Sequence, residues 1–197
     1  MTEKAASNQP SGLDEVWAAW QLQRNTGGMR SLLFIVGALY PLFGILDYLT
    51  APKEWLWLLY STRAVITTIT FLMFRVIKLK LFARHSNSVS AAYIVLISLG
   101  ISMMTVFMGG LGSPYYAGLS LVIVATGLLF VWPMAVVVPT HATIVVSFLL
   151  PNLLLGRGAD PLTSVSNLFF LVSTAIIAGR ARTSRHADLA TTNFRAD

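Results

Sequence analysis

The chain has 197 residues, of which 55% are hydrophobic and only 11% charged, where soluble domains carry about 25% charged residues. With a mean hydropathy of +0.69, this composition excludes an ordinary water-soluble globular domain, and the length leaves no room for a membrane region plus a complete catalytic domain of the usual size. The formal charge is +6, but the basic residues flank apolar runs, which is the habit of a membrane protein and not of a nucleic-acid binder. There is no cysteine, so disulfides, iron–sulfur clusters and thiolate metal sites are excluded.

The first 30 residues are polar and show no secretory cleavage pattern. Within them Ser11-Gly12-Leu13-Asp14 reads as an N-cap, followed by Leu13, Val16, Trp17 and Trp20 at helical spacing. Such an amphipathic face either lies on the headgroup boundary or packs on a bundle as a plain cytosolic helix. Gly27-Gly28 reads as a joint before the first apolar run.

Six runs of about 20 apolar residues, the length that crosses a hydrocarbon core, are expected at 31–49, 55–77, 90–109, 115–132, 134–151 and 162–179. The fourth and fifth are separated only by Trp132-Pro133, read as a tight hairpin because proline removes a donor and disfavours helix in the residue before it; five spans is the alternative. Eleven of the 14 basic residues fall in the segments before the first run, around the second loop and after the last run. By the positive-inside bias both termini are then cytoplasmic. The expected fold class is an all-α integral membrane protein, a six-helix transmembrane bundle over 31–180, with cytoplasmic segments at 1–30 and 181–197.

Charges and polar groups inside the runs are the candidate functional residues. Asp47 near the outer end of the first and Arg63 two turns into the second are placed to pair across a short loop, unless both simply face the interface. His141 lies inside the fifth run and His85 at the cytoplasmic end of the second helix; the two are the candidate axial ligands of a b-type haem, the alternative being a His141 bonded to a neighbouring carbonyl or hydroxyl in the bundle. With three histidines in the chain, a two-haem site is excluded. Gly109-Gly110-Leu111-Gly112-Ser113-Pro114-Tyr115-Tyr116 reads as a glycine turn, a Ser113 cap, Pro114 at the first helical position and two interfacial tyrosines. Gly110, Ser113, Pro114, Tyr115 and Tyr116, with Met103, Met104 and Met108 from the preceding run, are the candidate ligand-binding residues, methionine being adaptable to apolar ligands and equally a gap filler. Asn152 and Asn167 are placed to bond between helices. No catalytic constellation and no internal repeat are present, so the chain is expected not to be an enzyme; a small transporter is the third reading after a sensor and a haem protein.

The segment 109–119, Trp132-Pro133 and Ser166-Asn167-Leu168-Phe169-Phe170 followed by Arg180 resemble the six-helix N-terminal membrane domain of bacterial sensor histidine kinases and class III adenylate cyclases over roughly residues 30–185. The resemblance implies a receptor or anchor in the bacterial inner membrane, a homodimer, and a last helix that passes a lipophilic or redox signal to a kinase or cyclase domain, with 181–197 expected to be the start of the coupling helix and the output domain absent. It implies a lipophilic ligand or quinone as partner besides membrane lipid, with no certain cofactor and haem b as the one to consider.

Overall fold

The computed structural model describes residues 12–155 and 160–193, with side chains over 15–155 and 160–180. These residues form α1 (Gly12–Thr50), α2 (Leu56–Val76), α3 (Lys80–Phe107), α4 (Tyr116–Leu129), α5 (Met134–Leu154) and α6 (Pro161–Asn193), with 3-10 turns at Lys53–Trp55 and Gly110–Gly112. Each expected apolar run is helical over most of its length. Five helices are long and apolar enough to cross a membrane, and α4, at 14 residues, is the short one. The expected cap at Ser11 and Arg157 lie outside the described residues, as do the side chains of Leu13 and of the segment from Ala181 onward.

The first correction concerns Gly27-Gly28, which is no joint. Helix α1 runs unbroken for 39 residues, about 58 Å at 1.5 Å per residue, so the stripe of Val16, Trp17 and Trp20 rides on a rigid extension of the first span. The rings of Trp17 and Trp20 stack at 4.9 Å. Glycine is needed at position 28 for proximity: a Cβ there would sit 2.0 Å from the Leu129 carbonyl oxygen.

The second correction concerns Trp132-Pro133. Helix α4 stops at Leu129, and Phe130 (φ −115°, ψ 150°) to Pro133 (φ −66°, ψ 152°) form an extended linker and not a tight hairpin. Extended backbone leaves its polar groups without helical partners, and low-polarity surroundings make that costly. Asn25 of α1 supplies them: its Oδ1 accepts from Val131 N at 2.7 Å, its Nδ2 lies 3.5 Å from Val131 O, and Gln21 Nε2 donates to the same oxygen at 2.7 Å. Asn25 Nδ2 also donates to Asn87 Oδ1 of α3 at 2.8 Å. Trp132 is fully buried beside this clamp and stacks on Phe130 at 4.7 Å.

Helix α3 occupies the middle of the bundle and touches α1, α2, α4 and α5, while α6 closes against α4 and α5. Its buried face explains the position, because Ser98, Gly100, Ser102 and Thr105 are small enough for neighbouring backbones to approach. Ser102 and Ser147 of α5 share a 3.0 Å hydrogen bond, and Asn152 Nδ2 donates to Thr105 Oγ1 at 2.9 Å. The helix departs from ideal geometry at His85 (φ −129°, ψ 35°), where a short first turn bends into the main shaft. Outside, Phe34, Leu49, Phe71, Leu121 and Phe169 are 60 to 73% exposed, a surface suited to hydrocarbon and not to water.

Helix α6 starts at Pro161 behind a built cap: Asp160 Oδ2 accepts from Thr163 N and Thr163 Oγ1, both at 2.9 Å. These bonds, the backbone one foremost, hold the Asp160 carboxyl below the usual aspartate range. A lowered folded-state value means the cap contributes stability above the unfolded pKa of about 3.9 and loses it as pH falls through the lower folded value. Hydrogen exchange at the first amides of α6 is therefore expected to quicken below about pH 4, and Asp160→Ala is expected to give fast exchange at neutral pH as well. Gly28→Ala is expected to lower thermal stability in detergent by about 1–3 kcal/mol through overpacking, whereas Gly27→Ala, where a Cβ would meet nothing within 4 Å, is expected to be neutral or stabilising by up to about 1 kcal/mol.

Candidate functional site

Tyr40, Gly44 and Asp47 stand at i, i+4 and i+7 of α1 and so share the face turned to α2. Gly44 leaves room for Tyr60, whose ring would lie 3.2 Å from a Cβ at that position and whose hydroxyl donates to Gly44 O at 3.1 Å. That contact sets the register for the pair expected from the sequence. Arg63 Nε donates to Asp47 Oδ2 at 2.5 Å and Nη2 to Oδ1 at 2.9 Å, a bidentate fork between residues 6% and 0% exposed. The reading in which both side chains merely face the interface is therefore set aside. Arg63 Nη1 donates to Tyr40 O at 3.0 Å, and the guanidinium carbon lies 5.3 Å from the Tyr40 ring centre and 5.9 Å from that of Phe43.

A third element joins from the glycine motif. The Tyr115 hydroxyl donates to Asp47 Oδ1. The backbone of the motif makes this possible, since Gly109 (φ 105°) and Gly110 (φ 64°) both lie in the left-handed region, where a side chain is strained. Ser113 is buried and its Oγ accepts from Tyr115 N at 3.4 Å, a long version of the expected cap, while the first turn closes by backbone bonds from Tyr116 N to Ser113 O and Ala117 N to Pro114 O. The same loop is tied to α6, because Asn167 Nδ2 donates to Leu111 O at 2.9 Å.

Below this network α1, α3 and α4 enclose a groove of about 330 Å³, lined by apolar side chains such as Leu39, Ile97, Ile101 and Val122, with Arg63, Tyr40 and Tyr115 supplying polar atoms. Leu39, Leu46 and Leu121 on its rim are 41 to 60% exposed, so the groove opens toward the apolar exterior of the bundle. The Tyr40 hydroxyl, in a residue 7% exposed, has no hydrogen-bond partner among the described residues. The hydroxyl lies against α3, 2.9 Å from where a Cβ at Gly100 would stand, beside Ile66 of α2. The ion pair is neutral overall, so the site suits a neutral ligand: a net charge would enter without a counter-charge.

Of the residues expected to bind a ligand, Met104, Pro114 and Tyr115 line the groove. Met103 is 47% exposed on the outer face of α3, and Met108 and Tyr116 pack on the core. Gly110 and Ser113 shape the loop without lining the groove. Sequence reading missed Tyr40 and the α4 wall, although Ala117, Gly118 and Ala125 already show the small-residue spacing that thins a helix face.

The two histidines do not come together. Helices α3 and α5 run parallel with partners 45 and 47 positions apart, which sets His141 level with about position 95 of α3, roughly 15 Å along the axis from His85. His85 is exposed, whereas buried His141 shares a 2.6 Å bond between Nε2 and Thr126 Oγ1. Two axial ligands of one haem need matching depth on opposite faces of the ring, and this pair does not fit. No group of three potential metal ligands occurs among the described residues. No known protein family matches the chain, and no curated protein or solved structure matches it either.

Removing one partner of the buried pair strands the other charge. Arg63→Met is expected to destabilise the protein by about 3–5 kcal/mol, and Asp47→Leu combined with Arg63→Met to recover most of that loss. Tyr115→Phe is expected to cost about 1.5–3 kcal/mol, the value of a hydrogen bond to a charged group. Thermal unfolding in detergent, run as a mutant cycle, measures all three.

Proposed function

We propose that the chain is the membrane receptor and anchor domain of a bacterial signalling protein, placed in the inner membrane with both termini cytoplasmic, binding a neutral lipophilic molecule in the groove between α1, α3 and α4. The observation that carries this reading is the position of Tyr115. It contributes to the groove and to the Asp47–Arg63 pair, and it sits four residues from Leu111, whose carbonyl holds Asn167 of α6. A ligand that moves Tyr115 therefore acts on the outer end of α6.

Helix α6 is suited to carry that movement inward. Its backbone stays helical from Pro161 to Asn193, about 50 Å, well beyond the length of one span. It packs closely on α4, where a Cβ at Gly127 would lie 3.1 Å from Ala178 O. Signalling then requires two arrangements of α6 whose balance the ligand biases, and helix shifts of about 1–2 Å suffice for such switches. A kinase or cyclase output following α6, working as a pair in a homodimer, is the natural recipient. Quinones and alkyl ketones meet the chemistry of the groove, being neutral and largely apolar, as its lining is.

The lack of cysteine makes a direct test simple. Val16→Cys and Arg180→Cys, both exposed, carry spin labels on α1 and α6 in nanodiscs, and the label distance is read before and after adding a short-tailed ubiquinone or a medium-chain alkyl ketone. A shift that disappears with Leu121→Trp, which fills the groove from its rim, is the expected result. An unchanged distance with both probes, or a shift that survives Leu121→Trp, overturns the reading.

A further inference from the structure

At the end of the bundle that carries most of the basic residues, α1 and α4 part to leave a second cavity, of about 550 Å³. It continues the α1–α4 seam beyond the groove, whose lining ends at Leu32 and Ala125 where that of the cavity begins at Ser31 and Leu128, and it lies well away from Asp47 along α1. Two glycines create it. Gly28 lets the Leu129 carbonyl close the floor, and Gly27 leaves the wall bare, since a Cβ there would meet nothing within 4 Å.

The walls change character along the axis of α1. Leu128 and Leu129 of α4 are apolar, and Leu128 is 54% exposed. Ser31 marks where the apolar part of α1 begins, Arg24 lies two helical turns further out, and Trp20 one turn beyond that. Apolar wall, hydroxyl, guanidinium and indole follow in the order in which a phospholipid presents acyl chain, glycerol ester, phosphate and headgroup. Indole and guanidinium side chains are the groups that settle in that layer.

Charge selects among phospholipids. Arg24 is exposed and makes no ion pair among the described residues, and no carboxylate lines the cavity. The charged groups nearest in level are also basic: Arg30 on α1, and Arg180 on α6, which the Gly127–Ala178 contact places at the height of Leu129. The geometry points to a binding site for one anionic phospholipid of the cytoplasmic leaflet, its phosphate on Arg24 and its first acyl carbons against Leu128. Basic pockets between transmembrane helices on this side of a membrane hold acidic lipids for the same electrostatic reason.

The test is native mass spectrometry of the full chain released from nanodiscs of phosphatidylcholine containing a minor share of phosphatidylglycerol. One retained phosphatidylglycerol per chain, in preference to phosphatidylcholine, is expected. Arg24→Gln is expected to weaken retention about fivefold, the worth of one arginine near a charged membrane surface. Gly27→Leu, which fills the cavity from an open position, is expected to abolish it. Both variants alter exposed residues, and an unchanged thermal unfolding midpoint in detergent confirms that they fold. Equal retention of the two lipids, or retention indifferent to both substitutions, overturns the assignment. So does competition by millimolar glycerol phosphate or inorganic phosphate as effective as that by the lipid, since the cavity would then be a soluble-anion site.

Discussion

The Asp47–Arg63 pair is the constraint on which the rest of the bundle depends. Both side chains are buried, and an isolated charge in such surroundings costs several kcal/mol even after relaxation. The fork therefore fixes α1 against α2 at a single height. The Tyr115 phenol then brings the start of α4 to the same carboxylate. Three elements distant in sequence converge on one group, and the apolar groove beneath them is the space left because their outer ends cannot slide.

Away from that corner the bundle is held by small contacts of another kind. Apolar side chains face outward as readily as inward, so burial alone does not tell a helix which face to hide. Specificity rests on close backbone approach and on hydrogen bonds that hydrocarbon cannot replace. Gly28 against Leu129, Gly127 against Ala178, Ser102 with Ser147 and Asn152 with Thr105 each connect two helices that would otherwise be interchangeable rods. The polar residues along α3 account for its central place.

Hydropathy made the helices and their number legible, because a run of about 20 apolar residues has few other uses. The ion pair was legible too, since Asp47 and Arg63 flank a short loop and a buried charge has to have a partner. Less visible was anything that depends on side chains from helices distant in the chain. Nothing local to Gly27-Gly28 distinguishes a joint from a contact, and only the arrival of Leu129 decides it. Trp132-Pro133 marks a helix break without saying what satisfies the broken backbone; the answer lies in Asn25, more than 100 positions earlier. Tyr40 escaped notice because one tyrosine in an apolar helix looks like packing until its hydroxyl is found without a mate. The Met103–Met104 pair shows the converse, with one side chain in the groove and its neighbour exposed on the outer surface, as a 100° step per residue requires.

The unbroken course of α1 makes it a mechanical lever. Asp47 and Asn25 are 22 positions apart on one rod, about 33 Å. A tilt of about 5° at the upper anchor displaces the lower by about 3 Å, the reach of a hydrogen bond. Any event that rocks the end carrying Asp47 thus tugs the Asn25 amide away from Val131 and loosens the strap joining the fourth and fifth rods.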